Sequence, residues 1–349
     1  MDNLNEPLVD GRAGGRMAQQ AAEQPQFSFQ VLTDTHVTED AEHVYNRNFG
    51  EALRQIRELA GTTSGIMHAG DVTDHGLPGE YAEFRRIWSE HGTGLPEITM
   101  TTGNHDVRQG DWEDEIKRFL EVTGLSETYD AAALDYDDLR RLWEEHRSVL
   151  PELEMASEEG NAGLDPIGRF LSETGTSAPY HDLWIGGYHF IFLGTERSLV
   201  LYCSLSEEQL RWLDEKLKEG APDRPVFVFL HQPLKNTVAG SSEAQGWHGV
   251  VEDDELRAVL ARHPEVILFT GHTHWELESR DAFFDGGGEL PAMFGGASVA
   301  YLWNDADEHK DGSQGFFVDV YKDRVVVKGR DFGKAEWIDG ARYELRYPR

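Results

Sequence analysis

Five short apolar runs in this chain end alike. FSFQVL (27–32) gives way to Thr33-Asp34-Thr35-His36, and the run around Ile66 to Gly70-Asp71-Val72-Thr73-Asp74. LPEITM (95–100) leads to Gly103-Asn104-His105-Asp106, PVFVFL (225–230) to His231, and VILFT (266–270) to Gly271-His272-Thr273-His274. Each run has the length and the β-branched or aromatic content of a buried strand. Between them stand helical patterns. Phe49, Leu53, Ile56 and Leu59 recur at helical spacing, and 80–92, 206–220 and 254–264 read as further amphipathic helices. Ser206 takes the N-cap and Gln209 the N3 place of a capping box, and Gly92 is a plausible C-terminal cap. The alternation predicts an α/β layer architecture, in which ligands gather beyond the carboxyl ends of the strands. One strand-end histidine is ordinary. Five strand ends that each deliver Asp, Asn or His constrain the chain much more, because the sheet that aligns the strands also assembles the side chains.

Oxygen and imidazole donors of intermediate hardness suit Mn, Fe, Zn or Co. A pair of such ions about 3.5–4 Å apart needs a carboxylate between them. Asp34 and His36 stand two apart, as do His272 and His274; on extended backbone each pair would point one way. The glycines at 70, 103 and 271 would let the chain turn beside the ions. A single cysteine, Cys203, excludes an intramolecular disulfide and a thiolate zinc cluster. It reads as an inert packing residue.

The ordered set D-x-H, G-D-x-x-D, G-N-H-D, H and G-H-x-H, from Asp34 to His274, resembles the signature of the calcineurin-like metallophosphoesterases. The resemblance implies a four-layer α-β-β-α sandwich of two mixed sheets flanked by helices, with a dinuclear metal site at one sheet edge. It implies that Asp34, His36 and His274 bind one ion, that Asn104, His231 and His272 bind the other, and that Asp71 bridges them. Asn104 and His105 would also meet the substrate. His105 would be catalytic, facing the scissile ester, and Asp74 would pair with it and raise its pKa. A hydroxide bridging the ions would attack the phosphorus in line.

Within the family, protein phosphatases carry Arg after the second Asp; here His75 stands there, which removes a bidentate grip on a dianionic monoester. Purple acid phosphatases carry a tyrosine where this chain has Asp74. The run Gly103-Asn104-His105-Asp106-Val107-Arg108 is similar to the bacterial phosphodiesterase branch that hydrolyses cyclic nucleotides and glycerophosphodiesters. His231-Gln232-Pro233-Leu234 replaces that branch's usual His-His-Pro-Pro. Arg108 reads either as a substrate contact or as a surface salt bridge. The resemblance implies hydrolysis of a small phosphodiester. The alternatives are a phosphomonoesterase or nucleotidase of the same fold and, from another class, a non-catalytic protein-binding scaffold. The scaffold is disfavoured because all seven ligand positions and His105 are kept.

The formal net charge is −32, which argues against stable nucleic-acid binding, since backbone phosphates would be repelled. A small phosphoester remains compatible, because a metal ion inverts the local field. No run is long and apolar enough for a membrane span, and the N-terminal segment lacks the pattern of a secretory signal, so a cytoplasmic site is the default. Residues 1–25 read as a flexible leader before a single domain at 26–349. Residues 107–178 are an acidic, mostly helical insertion, either a cap over the site or a solvated excursion. The part from 281 to 349 is β-rich, with a hairpin at 316–331 turned at Lys322-Asp323; if exposed, it offers a route to a homo-oligomer. His68 reads as a satisfied core histidine. Trp275 and Trp247-His248 read either as packing or as stacking platforms for a base.

Overall fold

The computed structural model describes residues 23–347 apart from 62, 109–111, most of 135–164, 200 and 222. The leader read over 1–25 lies outside the described residues except for its last three positions.

Two six-stranded mixed sheets form the centre. The first contains β1 (Phe27–Leu32), β2 (Ile66–His68) and β3 (Ile98–Met100), all parallel. It continues on the other side of β1 with the antiparallel strands β12 (Gln314–Val320), β13 (Arg324–Asp331) and β14 (Glu336–Arg346). The second runs in the order β4 (His181–Ile185), β5 (Tyr188–Phe192), β6 (Val226–Phe229), β7 (Val266–Thr270), β9 (Ala292–Gly295), β8 (Phe283–Phe284). Its four central strands are parallel. Helices link the parallel strands: Val44–Leu59 and Pro78–His91 in the first sheet, Glu207–Leu217 and Asp253–Leu260 in the second. A two-stranded ribbon, β10 (Leu302–Trp303) with β11 (His309–Lys310), stands apart.

The continuous apolar runs have a simple cause: both faces of the sheets are covered over these central strands. In β6, Phe227 and Phe229 point into the layer between the sheets, while Val226 and Val228 point out to the helices. Strands β5 and β7 repeat the division, with Phe190, Phe192, Ile267 and Phe269 inward and Ile191, Val266 and Leu268 outward. The inner phenyl rings interlock, Phe192–Phe229 at 4.7 Å and Phe29–Phe227 at 4.9 Å between centroids. Each such buried side chain contributes about 1.5–3 kcal/mol. The outer face of the first sheet packs on Phe49, Leu53, Ile56 and Phe84 of its helices. Leu59, the last apolar position of the pattern, is exposed at the helix end. The four-layer α-β-β-α expectation therefore holds.

Two local expectations change. Ser206 does cap the helix at 207 by accepting from Gln209 N at 3.1 Å. The Gln209 side chain, however, is spent on Gly194 backbone, and Glu196 accepts from Ser206 N instead. The hairpin at 316–331 is no exposed edge: β12 pairs with β1 and β13 with β14, and Phe316, Val318, Val325 and Val327 are buried. Within 107–178, helix Pro166–Thr174 belongs to the outer layer, with Phe170 buried beside Tyr81 and Arg169 Nη1 donating to Gly76 O at 2.8 Å. Helix Trp112–Val122 sets Phe119 and Val122 against Leu199 and Tyr202.

Candidate functional site

The parallel strands of both sheets release their chains at one edge. Past β1 come Asp34 and His36, past β2 Asp71 and Asp74, past β3 Asn104 and His105, past β6 His231, past β7 His272 and His274. All seven candidate ligands lie in this edge and are buried. The extended backbone expected for the D-x-H and H-x-H pairs is not what brings them together. Asp34, His36, Asp71, His272 and His274 all have positive φ, between 43° and 71°. Left-handed backbone at alternate residues turns each loop back on itself, and outside glycine it is strained conformation concentrated at a functional edge. Close approach of loops requires glycine at two points. A Cβ on Gly103 would sit 2.1 Å from Asp71 Oδ1, and one on Gly271 2.0 Å from Thr33 Oγ1.

Two donor clusters result, and Asp71 belongs to both. One gathers Asp34, His36, Asp71 and His274; the other gathers Asp71, His231 and His272. In the first, His274 Nε2 lies 2.9 Å and His36 Nε2 3.7 Å from Asp34 Oδ1, and the two imidazole nitrogens are 3.2 Å apart. In the second, His231 Nε2 lies 3.0 Å from Asp71 Oδ2, buried and with no hydrogen-bond partner among the described residues. His231 Nδ1 donates to Ala69 O at 2.8 Å, which turns Nε2 toward the cluster. Imidazole nitrogens converging around ionised carboxylates fit a cation that displaces their protons. Asn104 is buried at the same edge.

Charge is held firmly here. Burial would raise the Asp34 and Asp71 pKa values, but His274 and His231 outweigh it at Asp34, and His231 and His105 at Asp71; both carboxyls fall well below the usual range. Burial pulls His36 down, but Asp34 and Asp74 push it up to about 10. Burial likewise opposes a rise at His231, which Asp71 and Asp34 push up to about 9. His272 goes the other way, to about 3, through burial and the neighbouring His231.

Asp74 does pair with His105, but the expected rise in the His105 pKa is corrected. His105 Nδ1 donates to the backbone carbonyl of Asp74 at 2.7 Å, and the carboxylate is 3.6 Å away. That carboxylate stands nearer His36 Nδ1, at 3.2 Å. Arg108 Nη2 donates to His105 Nε2 at 2.8 Å. Burial and this guanidinium lower the His105 pKa to about 4 rather than raising it. Arg108 is itself buried and lines the cleft. His68 is only half satisfied: Nε2 lies 3.1 Å from Thr35 Oγ1, and Nδ1 is buried without a hydrogen bond.

Sequence reasoning passed over two groups. Asp106 accepts from Val72 N, Thr73 N, Thr73 Oγ1 and Gly103 N at 2.9–3.2 Å, tying the loop of Asp71 to that of Asn104. Its place in G-N-H-D was the available signal. The second group is aromatic, and of its members the sequence singles out Trp247 alone. The cleft above the clusters, about 560 Å³, is lined by Tyr45, Leu201, Trp247, Tyr301, Trp303 and His309 as well as by the site residues. Trp275 is packing beneath Trp303, whereas Trp247 lines the cleft. Among the described side chains, those of 116–134 and 165–178 contribute nothing to the lining.

Comparison with known proteins follows the same edge. Residues 27–276 match the family model for calcineurin-like phosphoesterase. A stretch of 122 residues is 34% identical to the 3',5'-cyclic adenosine monophosphate phosphodiesterase CpdA of Escherichia coli (strain K12), covering 34% of this chain and 42% of that protein. A stretch of 92 residues is 32% identical to a 3',5'-cyclic-nucleotide phosphodiesterase of Nostoc sp., covering 26% and 33%. These matches span less than half the length of the curated relatives. Among solved structures, purple acid phosphatase PPD1 from yellow lupin seeds superposes with a TM-score of 0.56 at 11% identity, over 92% of this chain and 53% of that one. GAP50, the anchor in the inner membrane complex of Plasmodium, gives 0.51 at 12% identity, over 93% and 89%. At such identities the likeness is one of fold alone.

Proposed function

The chain belongs to the calcineurin-like phosphoesterase family, and we propose that it hydrolyses small phosphoric diesters, of cyclic-nucleotide size, at a pair of metal ions. It is a metallophosphoesterase, hence a hydrolase. The observation that carries the reading is the membership of Asp71 in both donor clusters. Asp34, His36 and His274 would hold one ion, Asn104, His231 and His272 the other, with Asp71 between them. The mixed oxygen and imidazole set suits Mn, Fe or Zn. Bound there, the ions would supply Lewis acidity, activating water near neutral pH and setting positive charge against the phosphoryl oxygens.

The protein's own groups do the rest. Asp34 and Asp71 stay ionised because histidines surround them. His105 is held as the Nδ1–H tautomer by the Asp74 carbonyl, and Arg108 brings a guanidinium to its Nε2. The pair lines the cleft together and offers fixed hydrogen bonding and charge to an ester oxygen there.

Preference for a diester is supported by the scarcity of cations. Arg108 is the one Arg or Lys among the described residues that line the cleft. His75, which stands where an arginine would grip a dianion, turns its ring to Glu80 at 3.2 Å. A singly charged diester needs less cationic grip than a dianionic monoester. The test compares turnover of bis(p-nitrophenyl) phosphate and p-nitrophenyl phosphate by the manganese-loaded protein. Faster diester cleavage is expected. Equal or faster monoester cleavage would favour the phosphomonoesterase alternative.

A further inference from the structure

The cleft has a lining that the donor clusters do not use. Tyr301 follows a segment fastened to the Asp34 loop: Val299 N donates to Thr33 O at 3.1 Å, Ala300 N to Asp34 O at 3.1 Å, and Ser298 Oγ to Asp34 O at 2.9 Å. Its ring lies 4.3 Å from that of His274 and 5.5 Å from that of Tyr45. Trp303 is fastened to the last ligand loop. Its N–H donates to His274 O at 2.9 Å, its carbonyl accepts from Glu276 N at 2.9 Å, and its ring stacks on buried Trp275. Across β10 and β11, His309 pairs with Trp303 and sets its ring 5.0 Å from Tyr301. Trp247 reaches the same cleft beside His272, at 6.1 Å between rings. An aromatic surface anchored by backbone bonds to the site itself has little to reorganise when a ligand arrives. Tyr301, Trp303 and His309 lie beyond residue 276, where the family match ends.

We propose that the wall is a specificity element that takes a planar aromatic arm of the phosphodiester, a nucleobase or a simple aryl ring, in preference to an aliphatic arm. The proposal rests on the diester reading for the identity of the reacting group. Flat faces stack on any π ring, whereas an alkyl arm meets the wall only through its area. With Arg108 the one described Arg or Lys in the lining, a second phosphate would find little counter-charge, so the arm is uncharged. A cleft of about 560 Å³ accommodates a ligand of mononucleotide size.

Phosphonates test this without any turnover, because their P–C bond is not cleaved. Calorimetric titration of the manganese-loaded protein with phenylphosphonate and methylphosphonate compares two arms on one anchor. The adenosine phosphonate in which a methylene replaces the 5'-oxygen of AMP, so that no P–O–C bond is present, adds a heteroaromatic arm and separates a nucleobase from a simple aryl ring. Tighter binding of the aromatic ligands, by roughly tenfold, is expected. Tyr301→Leu and Trp303→Leu, made separately, should each move the phenyl-to-methyl ratio toward one. Equal dissociation constants in the wild-type protein overturn the proposal, and so does an unchanged ratio in both variants. An aromatic preference that persists while monoesters are the better substrates would overturn the diester reading and leave the wall standing.

Discussion

The edge where the parallel strands end and the aromatic hairpin beside it are built on opposite principles. At the edge, Asp34, His36 and His231 are fully buried, the backbone is left-handed at five candidate ligands, and opposite charges stand within 3–4 Å. Every group is there at a cost: burying an ion requires partners, and left-handed backbone outside glycine is strained. The hairpin carries little of that burden, with left-handed non-glycine backbone at Asp307 of its turn and none at the ring-bearing residues. His309 is exposed, Tyr301 and Trp303 are half-buried, and their fastening is ordinary backbone hydrogen bonding. The difference teaches which job each region can do. Buried, strained charge holds ions in fixed places, and a rim of rings sorts what arrives.

That contrast can be broken at the edge first. Asp71→Ala removes the one side chain common to both clusters, and both ions and at least roughly a thousandfold of turnover should go together. Metal analysis with a diesterase assay checks this; retention of both ions would end the bridging assignment. Asp34→Ala and His272→Ala touch one cluster each, so each variant should keep one ion and lose about a hundredfold of rate. Loss of both ions from either variant would mean that the clusters do not act as separate pockets.

Asp74→Asn is subtler, since it keeps the carbonyl that holds His105 and removes the carboxylate beside His36. Metal affinity should weaken by about 10- to 100-fold with KM little changed, as for other partners of ligating histidines. A shift in KM alone would place Asp74 on the substrate instead. The smallest expected effect is that of pH. His36 and His231 are pushed up to about 10 and about 9, so the metal-free edge holds their protons at neutral pH. A cation must displace them. Affinity should therefore rise as pH climbs toward 9, with protons released on binding in titrations run in buffers of different ionisation enthalpy. Uptake independent of pH between 6 and 9 would contradict the charge balance described here.

Much of the edge was legible in the sequence, because it is written in short-range terms. An apolar run followed by Gly-Asp or Gly-His marks a strand end, and parallel strands share their carboxyl edge whatever the intervening lengths. The phenyl-inward, aliphatic-outward division of VFVF also follows from a two-residue period once both faces are known to be covered. The rest depended on distance. Strands β10 and β11 are two residues each, too short to show any period, and they place Trp303 by pairing with the His274 segment. Asp74 falls nearer His36 than His105 because left-handed backbone at His36 redirects the loop, which no spacing rule encodes. Trp275 and Trp247 look alike as residues beside polar loops; only packing buries the first and opens the second to the cleft.

The central claim is that Asp71 stands between two ions. Anomalous diffraction from crystals grown in manganese tests it most directly. Two peaks about 3.5–4 Å apart, with the Asp71 carboxylate touching both, are expected. A single peak, or a pair with Asp71 on only one of them, would contradict it.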